Sequence, residues 1–351
     1  MTEADVVTYR SPILDRSGAV PAEGIDAGVA GHYGDPIREQ RQLAQNAGWV
    51  DLSHHGVVRI EGVDRLSWLH NLTTQRLDKL EPGAGREALV LSPQGHIEHH
   101  LQLVDDGDAT WVHVEPGAAP ALVAFLDSMR FMLRVDVADV SSAWAVAKPQ
   151  LREPHAGYLT RIDPQDDAVA GRQTFVPRAG LGTFAAEVGA PAGVLALEAL
   201  RIEAGRPRFG LDTDHRTIPH EVGWIGSAVV LDKGCYRGQE TVARVANLGR
   251  PPRRLVRLHL DGSVRETLPA PGTPVLVDGT VIGQITSSAY HYEFGPIALA
   301  LVKYPTADDI AVVVGAGEVG ISATLEAVVE RDDSPRPGQA ARAAFGRKSL
   351  L

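Results

Sequence analysis

The residues with the greatest capacity for chemistry lie in one short segment, Leu231 to Glu240. It contains the chain's single cysteine, Cys235, with Lys233 and Arg237 flanking it at equal spacing. Flanking cations favour the thiolate, so an exposed Cys235 would be a redox group or a metal ligand. The alternative is a buried cysteine that packs as a small apolar side chain. One cysteine cannot hold an iron–sulfur cluster alone, because such clusters usually take four protein ligands.

A second candidate is Glu203, which lies at the end of the helix predicted for residues 192–204. The helix dipole disfavours a carboxylate in the last turn, so this position needs an explanation. Arg206 and Arg208 could neutralise the charge. Alternatively, the two oxygens could accept hydrogen bonds from a ligand edge with two N–H donors, such as a pterin ring, because charge-assisted bidentate pairs are strong and directional. The local residues leave both interpretations open.

Histidines form three groups, but their spacing does not predict a metal site. The groups are His54-His55, His96/His99/His100 and His215/His220. On a strand, His96, Glu98 and His100 share one face, where Glu98 could transfer a proton, while His99 points the other way. A metal site needs ligands that converge on one point, and partly buried histidines without a metal are common.

Composition limits the classes of function. The chain has 351 residues and a formal net charge of −10, which argues against general binding to nucleic acid or anionic membranes. The acidic N-terminus does not resemble a secretory signal, and no apolar run approaches the ~20 residues that span a bilayer. A single cysteine excludes an intramolecular disulfide. We therefore expect a cytoplasmic protein with no direct nucleic-acid partner and no membrane partner.

The elements that must position these residues form an α+β protein, because strands and helices alternate without a strict βαβ rhythm. Changes in composition and hydrophobic periodicity along the chain predict five parts: an extended arm (1–40), an α+β unit (41–143), a second α+β unit (144–249), a β-barrel (250–330) and a flexible tail (331–351).

Particular helices and turns follow from capping and periodicity. Asp64 is a good N-cap for a helix that would turn Leu66, Leu69, Leu77 and Leu80 inward. In the predicted barrel, Asp278-Gly279 indicates a tight hairpin. Gly315 to Gly320 fits G-x-G-x-x-G, but strand-like alternation follows it, which predicts a hairpin turn and not a nucleotide site.

The segment Lys233-Gly-Cys-Tyr-Arg-Gly-Gln-Glu240 resembles the K-G-C-Y-x-G-Q-E signature of the YgfZ family of tetrahydrofolate-binding proteins. These are relatives of the glycine-cleavage T protein, an aminomethyltransferase. Further segments resemble the family in the same order along the chain: Gly62–Leu69, Thr73-Thr74, Ser92–Ile97, Leu200–Pro207 and Gly283–Ser287.

The resemblance implies a three-part ring: two ferredoxin-like α+β units, with residues 41–143 as the first folate-binding one, and a C-terminal β-barrel around a central folate channel. It implies that tetrahydrofolate, or a derivative, is the ligand. The function implied is assembly or repair of iron–sulfur clusters in client enzymes, including enzymes that modify tRNA. The expected protein partners are iron–sulfur carriers or clients.

The resemblance also assigns roles to residues. Glu203 would match the glutamate that binds the pterin, and the other expected folate-binding residues are Arg201, Lys233, Tyr236 and Trp224. The expected catalytic residues are Lys233, Cys235 and Glu98. Lys233 would position the signature loop or an anionic group, and Cys235 would act by redox chemistry or by sharing a metal with a partner.

The sequence allows two alternatives to iron–sulfur maintenance. One is an enzyme and the other is not, so the sequence does not decide whether the protein is an enzyme. One is a folate-dependent aminomethyltransferase of the glycine-cleavage type. Those enzymes resemble G-G-I-x-D-D where this chain has Gln94 to His99, so Glu98 and His99 stand where their catalytic aspartate is expected. Glu98 could substitute for it. The other alternative is a non-enzymatic scaffold that shares a labile cluster through Cys235.

Overall fold

A computed structural model of the chain describes residues 9–150, 155–162, 171–263, 268–315 and 320–332. The described residues form two compact units. The first lies within Met1–Leu69, Leu77–Glu87 and Leu101–Leu200, and the second within His70–Arg76, Ala88–His100 and Arg201–Leu351.

Strands and helices are mixed along the chain, as the sequence predicts. The strands are β1 Val20–Pro21, β2 Ala30–His32, β3 Trp49–Asp51, β4 Gly56–Glu61, β5 Gly85–Leu91, β6 Ile97–Asp105, β7 Ala109–Val114, β8 Asp136–Asp139, β9 Trp144–Pro149, β10 Leu159–Ile162, β11 Arg172–Pro177, β12 Pro191–Ala192, β13 Arg253–Leu260, β14 Pro274–Val277, β15 Thr280–His291, β16 Gly295–Lys303, β17 Ala311–Val314 and β18 Ile321–Ala327. The α-helices are α1 Pro36–Ala44, α2 Arg65–Leu72, α3 Ala119–Ser128, α4 Leu181–Glu187, α5 Val194–Glu203 and α6 Gln239–Leu248. Short 3-10 helices cover Pro12–Asp15, Gly24–Asp26, Arg178–Gly180 and Pro219–Glu221. Across the described ranges, no helix combines the length and the apolar character needed to cross a bilayer.

Two five-stranded sheets form the α+β part, with strand orders β10-β11-β9-β3-β12 and β5-β6-β7-β4-β8. In the first sheet, β3 pairs with β9 antiparallel and with β12 parallel. Helix α4 contributes Phe184 to the core beside this sheet, and its ring meets the edge of Trp49 at 5.8 Å between centroids. Each of these two aromatic side chains buries a large apolar area.

The last six strands close into a barrel in the order β13-β16-β15-β14-β17-β18. Burial alternates along β18, as expected for a strand with one face toward a barrel core. The predicted hairpin turn is confirmed: Val277 pairs with Thr280, and Asp278 and Gly279 have φ values of 46° and 76°. Two successive positive φ values are the signature of a type I′ turn. The α+β class and the C-terminal barrel are thus confirmed.

The second predicted hairpin also forms, because β17 pairs antiparallel with β18 and Val314 faces Ile321. The residues at the centre of its glycine-rich turn, 316–319, lie outside the described residues. A strand after the glycines excludes the helix that a dinucleotide site requires.

Helix α2 is shorter than the leucine spacing predicts. It ends at Leu72, although Leu77 and Leu80 are buried as expected. The backbone N–H of Thr74 donates to the carbonyl of Leu89 at 3.0 Å, so it no longer takes part in a helical ladder. The segment therefore leaves the helix after two turns and buries its later leucines from an irregular backbone.

Candidate functional site

All seven residues predicted to act in the site lie in the second unit. The signature segment leads into α6, and Gly238 caps that helix with a φ of 81°. A Cβ at Gly238 would lie 2.5 Å from the carbonyl oxygen of Ser92, and one at Gly95 would lie 2.8 Å from Cβ of Thr241. Only glycine allows both the positive φ and this close approach. The signature glycine therefore lets the β5–β6 turn pack directly against the start of α6.

Lys233 is buried, and its ammonium group is fully engaged by backbone. Its Nζ donates to the carbonyl oxygens of His70, Thr73 at 2.6 Å and Gln75 at 3.1 Å. An ammonium has three N–H donors, and three carbonyl acceptors satisfy them. The charge also lies 5.2 Å from the ring centroid of Tyr236, within the range of a cation–π contact. Lys233 thus anchors segment 70–76 to the signature loop.

Side chains of segment 70–76 complete this attachment. The hydroxyl of Thr74 donates to the carbonyl of Ala228 at 2.7 Å and accepts from the N–H of Leu89 at 2.9 Å. The amide of Gln75 donates to the carbonyl of Ser227 at 2.8 Å. Buried polar groups need such partners, because an unmade hydrogen bond in the interior costs free energy. The segment is therefore held in place on several sides.

Glu98 is paired with a residue of the signature. Its carboxylate accepts from Nη1 of Arg237 at 2.6 Å, and both side chains remain partly exposed. The neighbouring His99 has a lowered pKa, chiefly because burial disfavours its charged form, with Arg237 lowering it further against the opposing effect of Glu98. His99 is therefore neutral near pH 7 and has the chemistry of a proton acceptor.

Cys235 and Tyr236 point to different environments. Cys235 is exposed and is the chain's only thiol. Tyr236 is buried, and burial raises the pKa of its phenol to about 12. Its hydroxyl has no hydrogen-bond partner among the described residues. The segment thus exposes the Cys235 thiol to solvent and buries the Tyr236 hydroxyl, which has no hydrogen-bond partner among the described residues.

Arg201 belongs to a buried network at the end of α5. Its Nη1 donates to Asp212 Oδ2 at 2.7 Å, and its Nη2 donates to Ser287 Oγ at 2.7 Å. Asp212 also accepts from the hydroxyls of Thr286 and Ser287, each at 2.5 Å. Arg201 and Asp212 are 4% and 0% exposed, so this ion pair is shielded from water and ties α5 to the barrel strand β15. Arg201 therefore fixes the position of the helix end.

Glu203 is the last residue of α5 and is half-buried. In contrast to Arg201, its side chain forms no hydrogen bond and no ion pair within the described part of the chain. Neither Arg206 nor Arg208 neutralises it there. The end of α5 is thus rigidly held and carries a carboxylate whose acceptors remain available, despite the unfavourable helix dipole.

Comparison with known proteins shows which fold the chain shares and which family models its sequence matches. The chain can be superposed on the crystal structure of the glycine cleavage system aminomethyltransferase T from Bartonella henselae with a TM-score of 0.77 at 18% identity, covering 90% of this chain and 95% of that one. Two family models match its sequence: the GCVT N-terminal domain over residues 17–157, and the glycine cleavage T-protein C-terminal barrel domain over residues 253–330. The chain belongs to the GcvT-like superfamily.

Relatives of this GcvT-like protein carry transferase names. It is 27% identical to a Xanthomonas campestris protein named aminomethyltransferase, over 95% of this chain and 99% of that protein. It is 28% identical to a Nostoc protein of the same name, over 76% of this chain and 79% of that protein. It is also 26% identical to a chloroplastic protein of Arabidopsis thaliana with a transferase name, but it spans only 61% of that protein's length.

The remaining predicted residue, Trp224, is 5% exposed in this GcvT-like chain. Its ring is stacked on His100, with 4.5 Å between centroids and 29° between planes. One face of the indole is therefore covered by protein, and a ligand could stack only on the other.

The structure brings some predicted residues together and adds partners that the sequence does not indicate. Lys233 and Tyr236 are in contact, whereas among described residues no hydrogen bond or ion pair links Glu203 to either. Asp212 and Ser287 are the unpredicted members of the site. Ser287 lies in β15, within the segment Gly283–Ser287 that resembles the family, but it is 86 positions from Arg201. Only the three-dimensional fold reveals that pairing.

Proposed function

We propose that this GcvT-like protein binds tetrahydrofolate and that Glu203 accepts hydrogen bonds from the pterin. The observation that carries the proposal is the Glu203 carboxylate, half-buried and without a partner among the described residues. Its two oxygens could accept hydrogen bonds from a ligand edge with two N–H groups, because charge-assisted bidentate pairs are strong and directional. The resemblance to tetrahydrofolate-binding proteins implies a folate ligand, and the relatives named aminomethyltransferase agree with a one-carbon chemistry.

Two further residues of the second unit could contribute to the binding of a polar ligand. Arg201 holds the helix end through Asp212 and Ser287, so Glu203 would meet the ligand from a fixed backbone. The buried Tyr236 hydroxyl, which lacks a partner among the described residues, supplies a second polar group for a ligand. Pre-positioned groups of this kind reduce the entropy that binding must overcome. Bound tetrahydrofolate would supply ring nitrogens able to carry a one-carbon unit.

One candidate for the role of bound folate is aminomethyl transfer, which the names of the relatives favour. In that case a proton acceptor must stand near the folate. His99 is neutral near pH 7 and suits this task, whereas the carboxylate of Glu98 is paired with Arg237.

The other candidate is the maintenance of iron–sulfur proteins, which the resemblance to the YgfZ signature favours. The observation that supports it is the exposure of Cys235, because a thiol must be accessible to share a metal or exchange electrons with a partner. In this role the protein acts as a folate-dependent helper or as a scaffold, and its partners are iron–sulfur carriers or clients.

Titration calorimetry with tetrahydrofolate tests the common part of both candidates. We expect saturable binding, weakened in Glu203→Ala by about 2–4 kcal/mol, the scale for removing a charged partner from buried donors. Glu198→Ala is the matched control, because Glu198 is also a half-buried glutamate of α5. Equal affinities for wild type and Glu203→Ala would contradict the assignment.

Two further assays separate the candidates. Aminomethyl transfer predicts folate-dependent release of ammonia from an aminomethylated carrier protein, and loss of this activity in His99→Phe. Iron–sulfur maintenance predicts that wild type restores iron–sulfur enzyme activities in a deletion strain, whereas Cys235→Ala does not. If Cys235→Ala fully restores the iron–sulfur enzyme activities and the wild type catalyses aminomethyl transfer, the results would favour the transferase.

A further inference from the structure

Three side chains with metal-ligand chemistry converge in the first unit, far along the chain from the signature. They are Asp26, His54 and His55, and one potential ligand atom from each lies within 4.8 Å of the other two. Asp26 ends a 3-10 helix of the N-terminal segment, and the histidines occupy the loop between β3 and β4. The group thus joins two separate chain segments, as a built site requires.

One ring nitrogen of His54 has no hydrogen-bond partner among the described residues. Its side chain is 3% exposed, and Nε2 lies 2.9 Å from Oδ1 of Asp26. Its Nδ1 is buried with no hydrogen-bond partner in the described ranges. A buried nitrogen without a partner costs free energy, and either nitrogen of a neutral imidazole can ligate a metal. The ring is therefore held beside a carboxylate with a nitrogen unsatisfied.

His55 is oriented by a fourth residue, His113 of β7. Nε2 of His113 lies 2.7 Å from Nδ1 of His55, so one of the two nitrogens donates and the other accepts. With His55 as the donor, its lone pair lies on Nε2. This is the tautomer of a metal-ligating histidine, whose second N–H commonly donates to an acceptor behind it.

We propose that Asp26, His54 and His55 bind one divalent transition-metal ion, and that His113 is a positioning residue for His55. Two imidazoles and a carboxylate form a donor set that suits Zn²⁺ and related ions, with water completing the coordination. Such an ion would fasten the N-terminal segment to the β3–β4 loop. The site shares no residue with the proposed folate site, so each proposal can fail alone.

The test uses the full-length protein, first treated with a chelator and then titrated with Co²⁺ as a spectroscopic probe. We expect one equivalent of Co²⁺ to bind, with visible absorption bands of a low-coordinate site that Zn²⁺ abolishes by displacement. His54→Ala and His55→Ala should lose the bands, and His113→Ala should weaken binding by about 10- to 100-fold. The matched control is His259→Ala, because His259 also pairs with a carboxylate, Glu326, at 2.7 Å but belongs to no group of three potential ligands among the described residues.

Absence of stoichiometric Co²⁺ binding by the wild type would overturn the proposal, whatever the variants do. Binding that His54→Ala and His259→Ala reduce equally would also overturn it. Because alanine variants of buried residues can unfold, Asp26→Asn is measured alongside, with circular dichroism to verify folding. Asp26→Asn keeps the size of the side chain but weakens a ligand, so a folded Asp26→Asn with wild-type affinity would contradict the assignment of Asp26.

Discussion

Replacing Lys233 by methionine should destabilise the protein because three buried carbonyls would lose their common donor. Lys233 is 6% exposed, and its ammonium donates to the carbonyl oxygens of His70, Thr73 and Gln75. Hydrogen bonds to charged groups contribute about 1.5–3 kcal/mol each, and removal leaves the carbonyls unsatisfied. The variant no longer has to bury an ammonium, which costs several kcal/mol, and this partly offsets the lost hydrogen bonds. We therefore expect a net loss of about 3 kcal/mol in the free energy of unfolding.

Urea unfolding of Lys233→Met and of a matched control, Lys303→Met, measures this difference. Lys303 is exposed, and among the described residues its Nζ donates only to the carbonyl of Val281, at 3.1 Å. Lys303→Met should therefore lower the free energy of unfolding by less than about 0.5 kcal/mol. Hydrogen exchange should become faster in peptides that cover residues 70–76 of Lys233→Met, because the lysine anchors that segment. Equal stabilities for the two variants, or unchanged exchange, would refute an anchoring role for Lys233.

Three other predictions follow from the second unit. Gly238→Ala should lower the free energy of unfolding by about 2–4 kcal/mol, because φ is 81° and the new Cβ would meet the Ser92 carbonyl. Gly234 has open space around it, so Gly234→Ala should change the free energy of unfolding by less than about 0.5 kcal/mol in the same urea assay. The Arg253 guanidinium lowers the pKa of Asp214. This aspartate therefore stabilises the fold above its unfolded pKa of about 3.9, and that contribution is lost as the pH falls toward the lower folded pKa. Asp214→Asn should lose less stability than wild type between pH 4.5 and 2.5, and an identical pH dependence of the two proteins would contradict this. Native Cys235 should react with one equivalent of a disulfide reagent at the rate of an exposed thiol, and reaction only after unfolding would remove the basis for sharing a metal with a partner.

Local patterns predicted most of the secondary structure because each depended on neighbouring residues. The barrel hairpin at Asp278-Gly279 is an example, since two residues with positive φ are needed there and the sequence supplies both. The start of α2 shows the limit. Asp64 precedes the helix as predicted, but its carboxylate binds the backbone N–H and guanidinium of Arg134, 70 positions away. A tertiary partner replaces the local cap, and periodicity cannot reveal it.

The candidate site shows the same division. The unfavourable position of Glu203 at a helix end indicates a ligand-binding role, and among the described residues no hydrogen bond or ion pair occupies its carboxylate. The predictions for Lys233 and Arg237 depended on their closeness to Cys235 in the sequence. In the structure, Lys233 turns to backbone carbonyls and Arg237 to Glu98, so their charges serve partners that lie 139 to 163 positions away. Long-range electrostatic pairing of this kind depends on the fold and has no local signature.

The most direct test of the central claim is calorimetric titration of the wild-type protein and Glu203→Ala with tetrahydrofolate, with Glu198→Ala as the control. Saturable binding to wild type and Glu198→Ala, with affinity reduced by about 30-fold or more in a folded Glu203→Ala, is the result that a charged acceptor for the pterin predicts. Absence of binding to the wild type would contradict the folate proposal as a whole. Binding that is equal in all three proteins would leave folate as the ligand and contradict the role of Glu203.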